Sequence, residues 1–177
     1  MNKYLNDLRW VLNNLLITEL EDAVDLLSRA RQGNRQIFIV GNGGSATTAS
    51  HFACDLGKNL HTEGLPDFHV ISLDNLCVLT AYANDEGYDN IYVKQISNLM
   101  KPGDVVIGIS ASGNSENICK AIKLARRLGA ITVGFTGHNG GKLGKLVHLH
   151  LNAPSKDIKQ IEDAHLVMTH MITRAME

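Results

Sequence analysis

The sequence predicts an α/β protein: a three-layer sandwich in which helices cover both faces of a five-stranded parallel sheet, preceded by a long N-terminal helical region. Three observations predict it. Short, strongly apolar runs recur along the chain, as strands covered on both faces require. Helical stretches alternate with them, which implies right-handed crossovers between parallel strands. Two of the runs pass directly into glycine- and serine-rich loops that open further helices.

The N-terminal segment, residues 1–32, carries Leu5, Leu8, Leu12, Leu15, Leu20, Val24 and Leu27 at spacings near three, four and seven, and it has no Gly or Pro before Gly33. It reads as one helical region over Asn2–Arg31. That is longer than a small sheet needs for cover, so part of its apolar stripe is expected to pack on another subunit; a simple covering helix is the alternative. Residues 36–177 then form the α/β core. Strands are expected at 36–40, 68–72, 104–109, 130–135 and 146–151, with helices at 46–56, 75–83, 88–99, 114–128 and 158–176. No repeat, linker or low-complexity segment divides the chain, so its 177 residues are expected to form one domain.

Composition narrows the function. Seventeen Lys+Arg against 18 Asp+Glu give a net charge of -1, which offers no global attraction to nucleic acid or to a membrane surface. No apolar run approaches the length of a membrane span, and the start lacks a basic segment followed by an apolar one. A cytoplasmic location is expected. Cys54, Cys77 and Cys119 are odd in number and far apart, and are expected to be small buried thiols rather than a disulfide or a zinc site. Glycine is in excess, 16 against 3 Pro, which suggests many turns or backbone that must come close to something.

The first strand ends in Gly41-Asn42-Gly43-Gly44-Ser45. Glycines there let the chain turn tightly, and the helix that follows offers unpaired N–H groups and a positive dipole end to an anion. Gly41-x-Gly43-x-x-Ala46 also fits the looser dinucleotide fingerprint, with Asp74 as ribose acid, and a plain strand-to-helix turn is a further reading. The third strand ends in Ser110-Ala111-Ser112-Gly113-Asn114-Ser115, again before a helix. Ordinary capping accounts for one of those hydroxyls, not three; a phosphate monoester, with several acceptor oxygens at one point, accounts for all. In the flavodoxin-like strand order 2-1-3-4-5, both loops open into one crevice, which favours a small phosphorylated ligand.

At these residues the chain resembles the sugar isomerase (SIS) family of phosphosugar-binding domains. The likeness runs through both loops, His51-Phe52-Ala53, Asn84-Asp85, Thr136-Gly137-His138-Asn139-Gly140-Gly141-Lys142 and the last helix. It implies that Ser110, Ser112 and Ser115, with Ala111 between them, hold the substrate phosphate, and that Asn42, Gly43, Gly44, Ser45, Asn84 and Asp85 line the sugar. In the isomerase branch of the family a zinc site and the catalytic groups fall on His51, Asp55, Glu162 and His170. Asp55 stands where glutamate is usual, Glu162 where glutamine is, Ala111 for a threonine, Asn59 for an arginine and Lys159 for an aspartate. The implied activity converts sedoheptulose 7-phosphate to glycero-manno-heptose 7-phosphate through an enediol, in a homotetramer with active sites between subunits. A non-catalytic phosphosugar sensor or a replication-initiator-binding adaptor is the alternative. The adaptor lacks the acid after the His-Phe-Ala segment and the last-helix histidine, both present here as Asp55 and His170.

Read as side chains alone, His51 and Asp55 are four apart and leave one helix face. Glu162 and His170 are eight apart, a rotation of about 80°. Two imidazoles and two carboxylates suit zinc. Asp55 is expected to be the base and His170 the acid, with Glu162 as metal ligand and substitute base. His165 is expected to be a support, His148 and His150 structural, and Lys58 either a stand-in for the missing arginine or a solvated lysine.

Overall fold

The computed structural model describes residues 1–61 and 63–177. Strands β1 (Gln36–Gly41), β2 (His69–Ser72), β3 (Val105–Ser110), β4 (Ile131–Gly137) and β5 (Leu149–Ala153) form one parallel sheet in the order β2-β1-β3-β4-β5, as the alternation predicts. Burial follows position: β3 is buried throughout, whereas the edge strand β2 alternates exposed and half-buried residues.

The two-residue period of β1 sorts its side chains between two cores. Ile37 and Ile39 face a layer built by α1 (Asn2–Asn13), α2 (Ile17–Gln32), α3 (Gly44–Cys54) and α8 (Ile158–Ala175), where Leu27, Phe52, Ile161 and Met168 are buried. Phe38 and Val40 face the opposite layer of α4 (Leu76–Glu86), α5 (Ile91–Leu99), α6 (Glu116–Arg127) and the short α7 (Leu143–Leu146), around Ile96, Ile118 and Ile122.

Four expectations need correction. The N-terminal region is two helices, broken at Asn14–Leu16: the Asn14 side chain donates to the Trp10 carbonyl, an asparagine competing with the helix for its own backbone, and Leu16 is extended. The fifth strand starts at Leu149, not 146, because Leu143–Leu146 wind into α7 and Leu143 turns into the core. The helix after the glycine loop starts at Gly44 and ends in a π-helical turn, Asp55–Asn59. Cys54 and Cys77 are exposed and only Cys119 is buried; all three are free.

Candidate active site

The two loops stand at the carboxyl ends of β1 and β3, neighbours at the point where the strand order reverses. In the glycine loop, the Ser45 N–H donates to the Asn42 carbonyl and the Ala46 N–H to Gly43, which sits at φ +54°. In the serine loop, the Ser110 hydroxyl donates to Ser115 Oγ at 3.1 Å, and the Asn114 N–H donates to Ser112 Oγ at 3.1 Å. Ser115 precedes α6 without capping it, and the N–H groups of Ser115, Glu116 and Asn117 have no partner among the described residues. The Ser110 and Ser115 hydroxyls thus meet at the open N-terminus of α6, with Ser112 on the same loop, groups of the kind that can donate to an anion. Gly113 is required here: its φ is +63°, and a Cβ would lie 2.2 Å from the Gly140 carbonyl oxygen, because the loop after β4 lies directly against the serine loop.

A cross-brace joins the loops. The Asn42 and Asn117 side-chain amides bond reciprocally at 2.9 and 2.8 Å, and Tyr88 donates to Asn42 Oδ1 at 3.0 Å. Tyr92 donates to the Gly41 carbonyl. The sequence reading missed Asn117, Tyr88 and Tyr92; a polar residue buried in the first turn of an otherwise amphipathic helix was the available signal for Asn117. Asn84 and Asp85 stand exposed at the end of α4, bonded to each other at 2.7 Å and shortly before Tyr88. Ala111 and Ser112 line a cavity of about 410 Å³ with Asn114, His138 and Lys156.

Helices α3 and α8 bring His51, Asp55 and His170 together. His51 Nε2 is 3.1 Å from His170 Nε2 and 3.3 Å from Asp55 Oδ2, which is 3.8 Å from His170 Nε2. These ligand atoms all lie within 4.8 Å of one another, a group able to hold a metal ion. Glu162 stands outside it: its carboxylate lies against Gly44, where a Cβ would meet Oε1 at 2.4 Å, and it makes no hydrogen bond or ion pair among the described residues. The 80° rotation between Glu162 and His170 put them on one side of α8, but eight residues also rise about 12 Å along the axis, so they serve different ends of α3.

His165, His148 and His150 are structural in their contacts. His165 is buried, its Nε2–H donates to the Thr136 carbonyl at 2.9 Å, and its ring packs edge-on against Phe135 at 5.9 Å. Burial holds its pKa down at about 4, the bond to Thr136 opposing this only in part. His148 Nδ1 lies 2.9 Å from Thr132 Oγ1, and His150 Nε2 2.6 Å from Thr136 Oγ1. Asp74, the candidate ribose acid, accepts from the Ser50 hydroxyl. The side chains of Lys58 and Lys159 are exposed and form no ion pair among the described residues.

A five-stranded parallel sheet with a glycine loop and a serine loop at its switch point, and a His/Asp/His group where α8 packs on α3, defines a class of α/β protein to which sequence comparison gives a family. The SIS domain profile matches residues 3–137, and the chain belongs to that family. Its curated relatives place it among the phosphoheptose isomerases, a group of enzymes. It is 35% identical to the phosphoheptose isomerase of Aquifex aeolicus over 92% of this chain and 85% of that protein. It is 38% identical to the probable phosphoheptose isomerase of Thermoplasma acidophilum over 96% and 93%. The solved phosphoheptose isomerase of Francisella tularensis superposes with a TM-score of 0.91 at 26% identity, covering 99% of this chain and 95% of that one. No described helix is long and apolar enough to cross a membrane.

Proposed function

We propose that the protein interconverts sedoheptulose 7-phosphate and glycero-manno-heptose 7-phosphate through an enediol. The observation that carries this is the grouping of His51, Asp55 and His170 where α8 packs on the helix that the glycine loop opens. The relatives named phosphoheptose isomerase support the substrate class.

The hydroxyls of Ser110, Ser112 and Ser115 and the first N–H groups of α6 hold the phosphate. Asn42, Gly43, Gly44 and Ser45 line the sugar, with Asn84 and Asp85 at the rim. Zinc fits the cluster. Bond lengths of about 2.0–2.1 Å at tetrahedral angles put neighbouring ligand atoms about 3.4 Å apart, close to the three separations of 3.1, 3.3 and 3.8 Å. Three protein ligands leave a position for substrate, as catalytic zinc sites do. A bound ion there would supply Lewis-acid stabilisation for the sugar oxygen that becomes negative.

Two carboxylates are candidates for the base, and their surroundings separate them. Asp55 has both oxygens engaged, Oδ1 by Asn59 and Oδ2 by the imidazoles. Glu162 is unpartnered beside the glycine loop. Glu162 therefore takes the proton from C1 of the ketose and returns it to C2, while the C1 hydroxyl proton passes to the C2 oxygen, and Asp55 and His170 serve as ligands instead of the base and acid their types suggest. A sensor or adaptor has no use for this cluster. The decisive experiment offers sedoheptulose 7-phosphate to the purified protein with and without zinc. Aldose formation that depends on zinc is expected; tight phosphosugar binding without turnover would overturn the enzyme reading.

The active assembly is a homotetramer with sites between subunits. Exposed Leu5 and Trp10 on α1, Leu16 and Ile17 before and at the start of α2, and an α4 with no buried residue and Leu76 73% exposed supply apolar surface for it. Light scattering tests it: a fully active monomer would overturn it.

A further inference from the structure

We infer that Asn59 is a positioning residue for the metal centre, holding one oxygen of Asp55 so that only the other faces the two imidazoles. This rests on the reading of His51, Asp55 and His170 as metal ligands. After Cys54 the α3 backbone widens into the π-helical turn Asp55–Asn59, a departure from α geometry that recurs at functional sites. Across that turn Asn59 Nδ2 donates to Asp55 Oδ1 at 3.0 Å. A carboxylate only accepts, so the amide must present its NH₂. Oδ2 is left 3.3 Å from His51 Nε2 and 3.8 Å from His170 Nε2. The Asp55 side chain is 14% exposed, so its own freedom to move is limited, whereas Asn59 reaches it from the surface. Without the amide, the carboxylate is free to turn about its terminal bond and present either oxygen, or both, to the histidines. A neutral donor fixes the rotamer while leaving the full negative charge for the ion.

Partners that orient metal ligands are typically worth about 10- to 100-fold in metal affinity. The test measures zinc affinity of the full chain by competition with a chromophoric chelator, for wild type, Asn59→Leu, which is close in size but cannot donate, and Asn59→Ser. Inorganic phosphate affinity is measured in parallel as a reading of the serine loop. Wild type is expected to bind one zinc per chain, and both variants to bind it 10- to 100-fold more weakly with phosphate affinity unchanged. Equal zinc affinity in all three proteins would overturn the positioning role, as would a matched fall in zinc and phosphate affinity, which reports general loosening. A wild-type protein that binds no zinc would instead overturn the metal centre itself.

Discussion

His165 makes the fold acid-sensitive by a predictable amount. The imidazole is 1% exposed, and its pKa is held at about 4, against 6.5 for the free side chain. The unfolded chain therefore binds a proton between pH 6.5 and 4 that the folded chain refuses, so stability falls as pH drops through that window and is fully present above it. Linkage makes the loss about 2 kcal/mol at pH 5 and about 3 kcal/mol at pH 4, a large share of a typical domain's 5–15 kcal/mol. The assay is urea unfolding of wild type and His165→Gln at pH 7.5, 5 and 4. Gln keeps an amide donor for the Thr136 carbonyl but does not titrate. The variant is expected to be less stable at pH 7.5 and to lose about 3 kcal/mol less than wild type on going to pH 4. All other titrating groups are common to both proteins and cancel. Parallel stability curves would refute the reasoning.

Glu162→Gln is expected to lower kcat by about 10²- to 10⁴-fold while zinc content is unchanged; loss of zinc with activity would make Glu162 a ligand, and full activity in Glu162→Gln with none in Asp55→Ala would return the base role to Asp55. Gly113→Ala forces a left-handed alanine against the Gly140 carbonyl 2.2 Å away, so KM should rise well beyond any change in kcat, with the phosphate loop displaced. Asn117→Ala strands the Asn42 amide on Tyr88 alone and should cost about 1–3 kcal/mol in urea unfolding. If, as proposed, hydroxyls and a helix end hold the phosphate, KM should change less than about threefold between 0.05 and 0.5 M salt, whereas a site built on exposed lysines would weaken steeply.

The strand order, both loops and the residues on them were legible because each rests on local pattern: apolar runs of the right length, glycines at the turn, hydroxyls before a helix. His51 and Asp55 were legible as a pair by their spacing of four. What sequence could not carry was depth along a helix axis between two elements. Rotation alone allowed Glu162 to meet His170; only the packing of α8 on α3 shows Glu162 at Gly44 and His170 at His51. Asn117 and Tyr88 were hidden for the same reason, since the brace they form with Asn42 joins residues 75 and 46 positions apart. The break at Asn14–Leu16 carried no glycine or proline to announce it.

That pairing of α3 with α8 also sets where Glu162 and His170 fall along α3. From Gly44 to His51 is seven residues, a rise of about 10 Å, and from Glu162 to His170 eight, about 12 Å. The two contacts match only if the helices run in the same direction with little tilt, so a shift of α8 moves Glu162 and His170, the proposed base and metal ligand, together. His165 lies between them on α8 and is bonded to the Thr136 carbonyl at the end of β4, on the strand that also launches the loop bracing Gly113. One buried histidine thus ties the register of α8 to the frame of the serine loop. Protonation at the buried Nδ1, unpartnered among the described residues, keeps the bond to Thr136 but puts an uncompensated charge in the core, so activity and urea stability should fall together in acid, and less steeply in His165→Gln than in wild type.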